Sequence, residues 1–139
     1  MPVTGVRHLP CYVRHPMHRR TLLPAAVDAL LLAVFVALGR ESHDISSGIG
    51  WYLTVLWPFL VGWFVAALAV RVYTSWPERW TLLGATWIGG IAMALVLRAV
   101  ITQRSTPVAF VIVAYAFIGL ATFGWRLAVR GLVLLRGHA

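Results

Sequence analysis

One carboxylate stands inside an otherwise uncharged apolar stretch: Asp28, within the run Leu22–Leu38. The chain has 139 residues and only four acids, and the other three, Glu41, Asp44 and Glu78, lie outside the apolar runs. An ionisable group in such a setting is costly and is ordinarily paired or functional. Arg126 is the expected partner and Arg71 the runner-up. The carboxylate then has two kinds of candidate role: coupling protons or ions, or a structural one, as a clamp with arginine or a carboxylate snorkelling toward the interface. A proton relay needs a chain of titratable groups. Asp28 is a solitary acid close to the end of its helix, which favours the clamp.

A second group of polar residues follows the first apolar run: Arg40, Glu41, His43 and Asp44. Arg98 closes the third run on the same predicted side. Arg40, His43 and Arg98 are therefore the expected lining of a ligand-binding cavity at one mouth of the protein. Two arginines suit phosphate or carboxylate, and histidine is the side chain that changes charge between about pH 5 and 8. The competing reading is an ordinary charge cluster capping the first helix. Other chemistries fail on spacing. His8, Cys11, His15 and His18 match no standard zinc pattern, so no metal site is expected. No histidine lies deep in an apolar run, which excludes a bis-histidine haem, and no cofactor is expected. Ser42, His43 and Asp44 are consecutive and cannot face one another as a hydrolase triad on a helix. A catalytic set is absent, and the sequence favours a protein that is not an enzyme.

These residues must be positioned by four apolar runs, Leu22–Leu38, Trp51–Val70, Trp80–Leu97 and Pro107–Trp125. About 20 apolar residues in a helix cross the ~30 Å hydrocarbon layer of a bilayer. The chain is 60% hydrophobic and 12% charged, against about 45–50% and about 25% in soluble domains. Mean hydropathy is +0.83. The predicted fold is all-α, a four-helix transmembrane bundle with antiparallel neighbours. Residues 1–21 form an arginine- and histidine-rich tail, 22–130 the membrane domain and 131–139 a short second tail. The single cysteine, Cys11, excludes an internal disulfide framework. A net charge of +8 comes from twelve arginines and no lysine. The arginines sit singly at the ends of apolar runs, so they meet lipid headgroups, and nucleic acid is not an expected partner. Nine fall on the side of the termini and three on the other. The positive-inside rule then places both termini in the cytoplasm. The first run is too long for a signal-peptide core and no small-residue cleavage site follows it, so it is read as a retained span.

The interiors of the runs differ. Ala25, Ala29, Ala33 and Ala37 predict a smooth ridge on the first helix for close packing, while Leu30, Val34 and Leu38 face lipid or a neighbouring subunit. Pro24 is expected in the first helical turn. Pro58 lies inside the second run and predicts a kink. Gly62/Ala66, Ala85/Gly89 and Gly90/Ala94 are small-residue pairs suited to helix contacts. Tyr115, Gly119, Thr122, Arg126 and Arg130 share one face of the fourth helix. Trp51, Trp76, Trp80 and Trp125 read as interface anchors, and Trp57, Trp63 and Trp87 as deeper residues.

Several of these stretches resemble a family of small four-span actinobacterial membrane proteins, known as a domain of unknown function. They are Gly39-Arg40-Glu41-Ser42-His43, Pro58-Phe59-Leu60-Val61-Gly62-Trp63, Arg98 after the third run, and Gly124-Trp125-Arg126. The resemblance covers about residues 22–130. It implies a four-span protein with Asp28, Arg40, His43, Pro58, Arg98 and Arg126 at matching positions, and it brings no activity. From the residues themselves the leading expectation is a small transporter or channel subunit handling an anionic or protonatable species. The alternative is a non-catalytic accessory subunit of a larger membrane complex. The lipid bilayer is the expected partner, with a homo-oligomer or larger complex compatible with the small-residue ridges.

Overall fold

The structure is a computed structural model. It describes residues 18–41, 48–74, 79–103 and 106–136; the side chains of 18–21, 40 and 41 lie outside that description. Four helices account for almost all of it: α1 His18–Glu41, α2 Ile49–Ala69, α3 Trp80–Thr102 and α4 Val108–Arg136. A 3-10 turn, Val72–Thr74, follows α2. Among the described residues there is no strand. The end of α1, the start of α2, the end of α3 and the start of α4 all line one cavity, so sequential helices run antiparallel.

Each helix is long and apolar enough to cross a membrane. At about 1.5 Å per residue, even α2, with 21 residues, reaches ~32 Å. Large apolar side chains cover the outside: Leu30 is 63% exposed, Leu68 71% and Leu120 78%. A surface of that kind is an aggregation liability in water and is what a helix bundle presents to lipid.

Both ends of the bundle differ in detail from the sequence reading. α1 begins at His18, so Pro24 falls inside the helix rather than in its first turn. Its missing N–H leaves the Arg20 carbonyl without its usual partner. α4 continues unbroken to Arg136, through residues expected to form a separate tail. Its terminal residues Leu132 to Leu135 are helix formers without a break. α2 is helical throughout despite Pro58, which is buried.

The closest helix pair is α2 with α3. A Cβ added to Gly62 would lie 2.5 Å from the Gly90 carbonyl oxygen and 2.7 Å from the Ala94 nitrogen. The two backbones touch there, a contact only glycine permits. Gly90 and Ala94 are thus used inside the bundle, whereas Ala85 and Gly89 on the same helix face outward. Between α3 and α4 the spacers are aromatic. Trp87 donates its Nε1–H to the Tyr115 carbonyl at 3.0 Å, and the Tyr115 hydroxyl donates to the Ile88 carbonyl at 3.1 Å. Tyr52 ties α2 to α1 by donating to the Ala33 carbonyl at 2.8 Å.

The buried face of α1 is Asp28, Leu32, Phe35 and Val36, not the alanine series. Ala25, Ala29 and Ala33 flank that face and Ala37 is exposed. At about 100° per residue, a step of four advances 40° around the helix. Such a series spirals off the interface within three turns. Trp57, expected to lie deep, is 42% exposed, whereas Trp63 is fully buried.

Candidate functional site

Asp28 and Arg126 meet in a buried, two-pronged ion pair. Arg126 Nη1 donates to Asp28 Oδ1 and Nη2 to Oδ2, both at 2.8 Å. The side chains are 0% and 2% exposed for Asp28 and Arg126. Two more donors complete the carboxylate: the Tyr73 hydroxyl reaches Oδ2 at 2.7 Å and Trp125 Nε1 reaches Oδ1 at 3.2 Å. Trp63 Nε1 in turn donates to the Tyr73 oxygen at 3.0 Å. Arg126 Nη1 also donates to the Thr122 carbonyl at 3.1 Å. A carboxylate offers about four lone-pair sites, and here four donors occupy them. The centre joins α1, α2, the 3-10 turn and α4.

The local backbone explains how Tyr73 arrives. Arg71 adopts a left-handed conformation, φ 55°, which ends α2 and turns the chain back toward α1. That conformation costs a non-glycine residue about 1–2 kcal/mol. Arg71 itself is exposed, and it is the neighbouring turn residue Tyr73 that joins Asp28. Burial, and then the adjacent Asp28 carboxylate, push the Tyr73 phenol above its ordinary range. Tyr73 therefore stays protonated and remains a donor. With the folded value raised, its stabilising contribution is complete below about pH 10 and declines only above it.

Arg98 occupies the opposite end of the bundle. Its guanidinium lies over the Phe110 ring, 4.3 Å from the centroid. Nε and Nη1 are buried and have no hydrogen-bond partner among the described residues. An arginine so close to a helix end would ordinarily extend its head to water. Here the side chain lines a cavity of about 470 Å³ bounded by α1 and α4, with Trp51 and Val55 of α2 on its wall. Phe35 packs at 5.5 Å from Phe117 and 6.0 Å from Phe110, forming an aromatic wall. The ring face of Phe110 offsets part of the cost of desolvating the cation. It supplies no acceptor for the two buried N–H groups.

The sequence-identified residues thus separate. Asp28 and Arg126 come together, while Arg98 stands apart at the other end. The backbone of Arg40 ends α1 on the Arg98 side, and His43 lies outside the described residues. Tyr115 joins α3 to α4 and contacts neither centre's polar atoms in the bonds it makes to Ile88 and Trp87. Tyr73, Trp63 and Trp125 complete the clamp and were not singled out from the sequence as its members. Trp125 beside Arg126 carried the only available signal, since adjacent aromatic and cationic groups recur at such pairs.

Four lipid-compatible helices and a saturated buried ion pair define a small helical membrane-protein domain. The chain belongs to a family described as a protein of unknown function, DUF3054, whose model matches residues 25–129. That stretch opens three residues before Asp28 and closes three after Arg126, so the clamp joins the two ends of the family domain. No curated protein and no solved structure matches the chain.

Proposed function

We propose that the protein is a small transporter or channel subunit that handles an anionic species bound at Arg98. The observation carrying this reading is a pair of buried guanidinium nitrogens without acceptors among the described residues, on a side chain that lines a cavity. A desolvated charge left without a counter-charge is strongly unfavourable, and an anion supplies both charge and acceptors. Arg40 and His43 are the further residues proposed at this mouth. The saturated Asp28 centre serves as the frame against which the cavity end works.

Electrical recording on proteoliposomes tests the reading, with jumps to chloride, phosphate or hexanesulfonate. At least one anion should give a protein-dependent charge movement, and Arg98→Gln should abolish it without lowering the folded yield. No response to any of them would overturn the reading. So would a response that appears only in Glu41→Gln or Asp44→Asn, because it would make a carboxylate of the chain the occupant of Arg98.

The second reading, an accessory subunit of a larger complex, draws on the outward strip Ala85, Gly89 and Ala92 of α3. Small residues there leave room for a foreign helix. Co-purification in mild detergent, lost on Gly89→Leu, is its expected sign.

The proposed orientation places both termini and the clamp on the cytoplasmic side of the plasma membrane, and Arg98 toward the exterior. The nine-to-three arginine split supports it. The single cysteine, Cys11, offers a direct check. A membrane-impermeant maleimide should label it in permeabilised cells and spare it in intact ones. Labelling of intact cells would invert the topology.

A further inference from the structure

We infer that the Arg98 cleft takes an amphiphile: one anionic head on the guanidinium and one apolar chain along the cavity. This deepens the anion reading above and rests on it. The cleft beyond Arg98 is walled by Phe35, Trp51, Val55 and Phe117, with scarcely a polar group. A hydrated inorganic anion would have to lose its water against these side chains and gain nothing in return. An alkyl chain loses nothing there.

The cleft also opens sideways. Leu38 of α1 and Val113 of α4 lie on its rim and are 50% and 55% exposed, on the outer surface that faces lipid. At the other end of the same helix pair the Asp28–Arg126 clamp holds α1 to α4. The seam is thus closed at one end and parted at the other, and a chain lying in the bilayer can enter without crossing water. Its volume of about 470 Å³ holds on the order of 15 groups the size of a water molecule, at ~30 Å³ each. That is room for one chain. Head recognition needs acceptors for the buried Nε and Nη1, which point to different edges of the guanidinium, and a phosphate or carboxylate head brings both the charge and acceptor oxygens.

The test is equilibrium binding of ethyl, butyl, hexyl and octyl phosphate to the full chain in nanodiscs of zwitterionic lipid, with empty nanodiscs subtracted. Affinity should rise about fourfold for each added methylene until the chain fills the cleft. Arg98→Gln should weaken every member of the series about tenfold or more. Ala109→Trp, at an exposed lining position, should flatten the dependence on chain length and keep the dependence on the phosphate. Val113→Trp is the second variant of that kind. Competition by an anionic phospholipid added to the nanodisc would identify a membrane lipid as the source; persistence of binding against it would identify a free amphiphile. A flat series, with inorganic phosphate binding as well as octyl phosphate, would overturn the amphiphile while leaving anion binding at Arg98 intact. Failure of inorganic phosphate and of every alkyl phosphate to bind would overturn both.

Discussion

Asp28→Ala is expected to destabilise the bundle by about 3–5 kcal/mol, the loss that follows when one partner of a buried ion pair is removed. The Arg126 guanidinium, 2% exposed, then keeps its charge in the bundle without the carboxylate that balances it. Tyr73 and Trp125 lose their acceptor as well. Tyr73→Phe should cost less, about 1–3 kcal/mol, because it leaves the ion pair intact and strands the Trp63 N–H. The double variant Asp28→Leu/Arg126→Met should be more stable than Asp28→Ala alone, since apolar replacement of both charges removes the uncompensated cation. It should not regain the wild-type value, because the Trp125 and Tyr73 donors still lack a partner. Unfolding by sodium dodecyl sulfate in mixed micelles, followed by tryptophan fluorescence, ranks the four proteins. An Asp28→Ala protein within about 1 kcal/mol of wild type would sink the clamp. The same series separates cohesion from coupling. Asp28→Asn protein that is folded should still bind anion at Arg98; loss of binding in folded protein would make the carboxylate a working part of the transport step.

The clamp was half legible in the sequence. A carboxylate in an apolar helix needs a cation, and Arg126 was the one arginine in the lower part of another span, so the pair followed from electrostatics. Tyr73 did not follow. It reaches Asp28 because Arg71 takes a left-handed conformation, and nothing about an arginine at that position announces a turn that favours glycine. The alanine series misled for a geometric reason: equal spacing of four does not stay on one face of a 3.6-residue helix. The residues that do face inward, Asp28, Leu32, Phe35 and Val36, mix steps of four, three and one, as a core stripe must. Arg98 was visible as a charge at a helix end, and its type pointed to an anion. The cleft it enters was not visible, because volume arises from how far α1 and α4 part, which depends on side chains from all four helices. The apolar runs themselves were legible to within about two residues at α2 and at the start of α3. At α1, at the end of α3 and at the end of α4 the helices overshoot, because apolarity marks the lipid-buried portion and helical propensity carries on past it.

Glycine substitutions at exposed and at packed helical positions should have opposite signs. In an exposed helical position, glycine is worse than alanine by roughly 0.5–1 kcal/mol through backbone entropy. Gly89 and Gly124 are helical, and a Cβ on either meets nothing within 4 Å. Gly89→Ala and Gly124→Ala should therefore leave the protein as stable as wild type or slightly more so. Gly62 is also helical and differs only in what faces it. Its added Cβ would meet backbone atoms of Gly90 and Ala94 at 2.5 and 2.7 Å, well inside any normal contact. Backbone cannot rotate away as a side-chain tip can, so α2 and α3 must separate along their whole contact. Overpacking usually costs about 1–3 kcal/mol, and Gly62→Ala should lie at or above the top of that range. Gly62→Leu should prevent accumulation of folded protein. Thermal unfolding in detergent of the three alanine variants gives the comparison at constant chemistry, one methyl group each. A Gly62→Ala protein that melts with Gly89→Ala would mean that α2 and α3 do not touch at Gly62. The seam there is what fixes the back of the bundle, so its loss should also collapse the Arg98 cleft, whose rear wall is carried by α2 and whose cation is carried by α3.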